Sequence, residues 1–207
     1  MLHFTSDQLT KKQQYKFISG SVIPRPIAWV TTLSKNGEVV NAAPFSFFSA
    51  ASNELPLLTV AILRKSGEIK DTARNILDRG EAVVHIVDYD LVEEMNRTSA
   101  PLAPDESELE RTNLTLIDSH TVSVPTIKEA KIHFEGTVHQ YVPIEDDHGT
   151  VVTDLFIIRV TDFFFDETVF DLAKEYILTG NLNPVARLAG DQYATLNEEY
   201  TLVRPAK

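Results

Sequence analysis

The chain has 207 residues, 43% of them hydrophobic, with a net charge of −11 and no cysteine. That composition is ordinary for a globular protein, and it excludes disulfides, thiolate metal sites, cysteine-held clusters and cysteine nucleophiles. The acidity argues against nucleic acid and anionic membranes as partners, but a few local cations are enough to hold one small phosphate ligand.

Thr5 to Gln8 reads as a T-x-x-Q capping box opening a short helix up to about Phe17. Gly20 and then Pro24-Arg25-Pro26 end helical character. Ile27 to Leu33 is β-branched and aromatic, hence a strand. Asn36-Gly37 is a hairpin signal, with Val39 and Val40 starting the return strand. Leu57 to Leu63 is a strand after Pro56, and Ile69 to Leu77 a helix with Gly80 just past its end. Glu81 to Asp88 is an apolar strand. Leu91 to Arg97 and Glu106 to Arg111 read as short helices, with Pro101 and Pro104 between them. Ala130 to Tyr141 alternates polar and apolar residues, Glu145 to Gly149 is a turn, and Leu155 to Phe165 is the last long strand. Residues 98–128 are rich in Pro, Ser, Thr and acids and read as an excursion covering the core. About six antiparallel strands without β-α-β alternation favour an all-β, closed or half-closed barrel, taken as one domain over residues 1–207.

Several familiar signatures are missing. There is no G-x-G-x-x-G, no P-loop, no H-E-x-x-H, no EF-hand loop and no G-x-S-x-G. His133 and His139 have even spacing on one strand, with Gly136 between them as a place for a bulge; barrel-surface or core histidines fit better than metal ligands. No apolar run approaches the roughly 20 residues of a bilayer span. The first residues carry no basic stretch followed by an apolar one, so a cytoplasmic protein is expected.

Three segments have the residues for binding chemistry. Trp29-Val30-Thr31-Thr32 lies across the hairpin from Asn41 to Ser49, joining hydroxyls, an amide, small alanines and aromatics, the mixture a flat heteroaromatic ligand needs. The aromatics serve equally well as core and the hydroxyls as strand caps. Arg64 to Arg74 sets four cations against two acids, with Lys70 and Thr72 at a helix start, where free N–H groups can hold an anion. A solvated amphipathic helix capped by Asp71 or Thr72 explains the same residues. Arg187 to Tyr193 is loop-like and says little alone.

Together these segments resemble the flavin reductase-like family of FMN-binding split-barrel proteins, which includes flavoredoxin and the reductase components of two-component monooxygenases. The matching pieces are Pro24 to Thr32, Asn41 with Ala43 to Phe48, Lys70-Asp71-Thr72 with Asn75, and Arg187 to Tyr193, in the family's order. The resemblance implies a six-stranded antiparallel split barrel with Greek-key connections and a few peripheral helices, and a homodimer with non-covalent FMN near its interface. It implies that Trp29, Val30, Thr31, Thr32, Asn41 and Ser46 lie along the flavin and its ribityl chain. Phe45, Phe47 and Phe48 would line the ring. Lys70, Asp71 and Thr72, with Arg64, would mark the phosphate end. Arg25 fits either the site or a structural ion pair. The implied activity is an FMN-dependent NAD(P)H oxidoreductase passing hydride to flavin and electrons on to a small molecule or protein partner, with no acid or base side chain required. A flavoredoxin-like electron carrier and a non-redox ligand-binding barrel are the rivals.

Overall fold

The structure, a computed structural model, describes residues 1–103 and 105–205. Two T-x-x-Q boxes open the chain and do different things. Thr5 and Gln8 close only a 3-10 turn at Ser6–Gln8. The helix starts at the second box, where Gln13 N donates to Thr10 Oγ1 at 3.3 Å and Thr10 N donates to Gln13 Oε1 at 2.9 Å. Helix α1 (Lys11–Ser21) therefore replaces the helix expected from Thr5 to about Phe17, and it runs through Gly20.

The strands follow as β1 (Arg25–Pro26), β2 (Ala28–Leu33), β3 (Val40–Phe45), β4 (Phe48–Ala50), β5 (Leu57–Leu63), β6 (Glu81–Ile86), β7 (Leu116–Ile117), β8 (Thr126–Ile127), β9 (Ile132–Glu145), β10 (Val151–Phe165), β11 (Phe170–Asp171), β12 (Tyr176–Ile177), β13 (Val185–Arg187) and β14 (Tyr193–Thr195). Helices α2 (Asp71–Arg79), α3 (Val92–Arg97) and α4 (Thr179–Leu182) lie between them. The expected helix at Glu106 to Arg111 is a 3-10 turn, Glu108–Arg111. Pro104, placed by the sequence between two short helices, lies outside the described residues.

Seven strands form one antiparallel sheet in the order β3-β2-β6-β9-β10-β5-β4, one strand more than the six expected. The addition is β4, three residues long and too short to show a period. Only Ser46 and Phe47 separate β3 from β4, yet these strands stand at opposite ends of the sheet. Three steps of chain reach about 11 Å at most, so the two edges must meet and the sheet must curl. Ala61 N donates to Phe47 O at 2.9 Å along this seam. The result is a split barrel. Strands β6, β9 and β10 are neighbours in order, and β5, which a long connection through α2 joins to β6, lies beside β10 on the far side of them, the Greek-key arrangement.

The barrel interior is filled by Ala28, Val30, Val60, Ile62, Val84 and Phe156, and Ala73 and Ile76 of α2 close one end. A second core lies outside the barrel wall, where Trp29 and Ala42 pack against Leu91, Met95, Leu109 and Ile127. Those partners come from the 98–128 excursion and the segment before it, so the excursion covers the barrel as expected. Strand β2 is buried along its whole length because both of its faces are covered.

Candidate functional site

The hairpin at Asn36-Gly37, with Gly37 at φ 80°, folds β3 back so that Thr32 pairs with Asn41 and Thr31 with Ala42. Helix α2 lies across this pair. Thr72 Oγ1 donates to Asn41 Oδ1 at 2.7 Å, Thr32 Oγ1 donates to the same oxygen at 3.3 Å, and Asn75 Nδ2 donates to Thr32 Oγ1 at 3.1 Å. Asn41 Nδ2 in turn donates to both oxygens of Glu108, at 2.7 and 2.8 Å, and Ala42 N donates to Glu108 Oε2 at 3.1 Å. Strand β3 is the sheet edge, so Glu108 satisfies an edge N–H and pins the excursion to the barrel. Burial pushes the Glu108 carboxyl up, and the N–H donors, those of its own backbone, Ala42 and Asn41, pull it back.

A cleft of about 510 Å³ opens beside this network, walled by Asn41, Phe45, Lys70, Ser99, Pro101 and Glu108. No side chain caps the first turn of α2, so its N–H groups are available to a ligand. The Lys70 ammonium stands 5.5 Å from the Phe45 ring centroid, and among the described residues it has no carboxylate partner. Crowding by protein and then the charge of Lys65 hold its pKa below the ordinary lysine value. An amine so placed gains by meeting an anion.

A second cleft, of about 830 Å³, adjoins the first at Pro44 and Ser99. Its walls include Lys12, Tyr15, Arg25, Ser46, Arg187 and Tyr193. The Arg187 guanidinium lies 4.6 Å from the Tyr193 ring centroid and donates to the Tyr193 hydroxyl and the Gly190 carbonyl.

The sequence-selected residues do not all come together. Asn41, Phe45, Lys70, Asp71 and Thr72 come together at the first cleft, and Ser46 lies in the second. Thr32 is buried directly behind Asn41, and the Thr72 hydroxyl points inward to Asn41, so Thr72 meets the cleft through the helix end. Trp29, Val30 and Thr31 line neither cleft: all three are inaccessible, Trp29 Nε1 donates to Thr98 Oγ1 at 2.9 Å, and Thr31 Oγ1 donates to the Pro125 carbonyl at 2.8 Å. Phe47 and Phe48 also lie outside both linings, Phe47 beneath Arg25 and Phe48 against the barrel core. Arg64 is committed to Asp154, donating from Nε at 2.9 Å and Nη2 at 2.8 Å.

Sequence reasoning missed Glu108 and the wall from Thr98 to Leu102, which belong to a stretch with no hydrophobic period. It also passed over Lys12 and Tyr15, although the T-x-x-Q box at Thr10 marks the helix that carries them.

The flavin reductase like domain profile matches residues 19–177. The chain belongs to the flavin reductase-like family. YwrF of Bacillus subtilis is 52% identical over the whole of both chains. The crystal structure of nitrilotriacetate monooxygenase component B from Bacillus cereus superposes with a TM-score of 0.93 at 42% identity, covering 98% of each chain. The 2-nitrobenzoate 2-nitroreductase NbaA of Pseudomonas fluorescens gives 0.87 at 30% identity, covering 99% of this chain and 96% of that one. In this flavin reductase-like chain the matched stretch takes in the first cleft. The Lys12–Tyr15 and Arg187–Tyr193 walls of the second cleft lie outside it. No helix among the described residues is long and apolar enough to cross a membrane.

Proposed function

We propose that the chain is an FMN-binding oxidoreductase that takes hydride from a reduced nicotinamide nucleotide and passes electrons on to an acceptor. One observation carries the FMN reading: Lys70, which has no carboxylate partner among the described residues, stands at the uncapped start of α2 over the Phe45 ring, both lining one cleft. Lys70 and the helix end would hold the phosphate. Asn41 on β3 and Ser46 just past its end lead from the first cleft into the second. The five residue steps from Asn41 to Ser46 span about 16 Å, which leaves the ring system to enter the wider second cleft. The flavin supplies the hydride chemistry; the chain supplies position and fixed charge. The membership and the likeness to component B and NbaA support a redox role.

Purified protein incubated with FMN and passed through gel filtration is expected to retain the flavin spectrum, and anaerobic NADH or NADPH is expected to bleach it. The same column reads the particle mass. A dimer is expected, because α1 buries only Ser19 and leaves Phe17 and Ile18 exposed, and Val22 and Ile23 just past its end are exposed as well. Lys70→Ala should weaken FMN binding by about 1.5–3 kcal/mol, the worth of a charge-assisted hydrogen bond. Unchanged affinity would move the phosphate to the second cleft. Bound flavin that neither nucleotide bleaches would make the chain an electron carrier, and failure to retain flavin would leave a non-redox ligand barrel.

A further inference from the structure

Arg25 is only 7% exposed, yet every acceptor it meets is neutral. Its Nε donates to Ser46 Oγ at 3.3 Å, its Nη1 to the Val22 carbonyl at 2.7 Å and to the Ser19 carbonyl, and its Nη2 to the Leu188 carbonyl at 2.9 Å. Among the described residues no carboxylate stands within ion-pair distance of it, whereas Arg64 has Asp154 at 2.8 Å. A buried charge is costly unless something compensates it, and carbonyl dipoles compensate it in part. A guanidinium has five N–H donors, and these bonds engage four. Ser46 Oγ accepts from Arg25 and donates to nothing among the described residues, so its proton is free for a ligand. Both groups line the second cleft, and Phe47 stands beneath the guanidinium at 5.9 Å.

The electrostatics of the two clefts differ. The first holds Lys65 and Lys70 against Glu68, Asp71 and Glu108. The second holds Lys12, Lys16, Arg25 and Arg187 against Asp191 alone, and Asp191 is 3.5 Å from Arg187. The cleft assigned above to the ring system is therefore the positive one, and Arg25 is its buried charge.

We infer that Arg25, together with the Ser46 hydroxyl, holds the negative charge that the flavin ring takes on at hydride transfer. The inference rests on the FMN reading above and adds the residue that sets the balance between the two redox states. In that step the C4–H bond of the dihydronicotinamide breaks, a bond from hydrogen to flavin N5 forms, and both electrons move with the hydrogen. The nicotinamide leaves as a cation and the flavin gains one negative charge, with no further proton needed. A fixed cation and a fixed hydroxyl donor favour that charge without having to reorganise. Arg25 is a positioning and electrostatic residue here, and it needs no proton transfer of its own.

The test measures dissociation constants for oxidised and for reduced FMN in the full chain and in Arg25→Gln, Arg25→Lys and Ser46→Ala. Arg25→Gln should raise the reduced constant at least tenfold more than the oxidised one. A tenfold change in that ratio is a fall of about 30 mV in the two-electron potential. Arg25→Lys should recover most of the ratio, and Ser46→Ala should move it about threefold in the same direction while the fold stays intact. A ratio that stays constant while both constants rise would overturn the inference and leave Arg25 a clamp between the end of α1 and Leu188. If Arg25→Gln does not fold, an unmoved ratio in Ser46→Ala overturns it alone. Failure of the unaltered chain to bind oxidised FMN removes the FMN reading and this inference together; binding with an unmoved ratio removes only this one.

Discussion

His85 shows how completely one side chain can be committed to the fold. Its Nδ1 donates to the Trp29 carbonyl at 2.9 Å and its Nε2 accepts from Ile127 N at 3.0 Å, so the ring joins β2 to the excursion as a neutral imidazole. Burial is the main cause that drives its pKa from 6.5 down to about 3. The unfolded chain therefore takes up a proton first. This contribution to stability is full above about pH 6.5 and is lost as pH falls towards 3. At 1.36 kcal/mol per pH unit, moving from pH 6.5 to pH 5 costs about 2 kcal/mol. Urea titrations at pH 7.5 and pH 5 should show this loss beyond that seen in His85→Gln, whose amide does not titrate; equal losses in the two proteins would refute it. The same covering explains how much of the candidate site was legible in the sequence. That Asn41 and Thr72 come together was, because a hairpin and a helix start carry them. That Trp29 and Thr31 turn away from both clefts was not, because their orientation is decided by an excursion whose sequence shows no period. From β2 alone, a hydroxyl facing a ligand and one facing the Pro125 carbonyl look alike.

Gly136 argues the case for whole elements. It pairs with Ala82 on one side and Val160 on the other and forms no bulge. The register instead skips His139 on β9 and Val152 and Thr161 on β10. What Gly136 supplies is room: a Cβ there would meet Ile158 Cγ2 at 2.7 Å and the Arg159 carbonyl oxygen at 2.8 Å. Backbone cannot rotate away as a side-chain tip can, so Gly136→Ala should cost about 1–3 kcal/mol, the range for overpacking a filled interior. Denaturant titration would read this as a lower midpoint at unchanged slope. A loss below about 0.5 kcal/mol, the scale of an ordinary surface substitution, would show that β9 and β10 move apart freely. Elements with strong local signals were legible nearly to the residue. Strand β5 was, after Pro56, and so was the end of α2, where Gly80 takes φ 73°. Strands β4, β13 and β14 were not, since three residues of strand owe their existence to the partner beside them.

For the whole molecule, the closing of the barrel is the feature least visible in the sequence. It depends on β3 and β4 lying at opposite ends of the pairing order, a non-local fact that no window of residues contains. Net charge, in contrast, is fully visible, and it makes its own prediction. The chain carries −11, while the two clefts together hold six cations against four carboxylates. A dianionic ligand therefore meets repulsion from the whole and attraction near the opening, and ionic strength decides which it feels. The Debye length is about 30 Å at 0.01 M salt and about 10 Å at 0.1 M. At the lower salt the repulsion reaches beyond the molecule's edge; at the higher, only charges close to the opening act. FMN association, followed by flavin fluorescence in stopped flow, should thus accelerate as salt rises from 0.01 to 0.1 M. That is the opposite of the slowing expected when a site of opposite charge steers its ligand from afar. Slowing would mean that the cleft cations govern approach at every distance and that the acidic surface lies far from the opening.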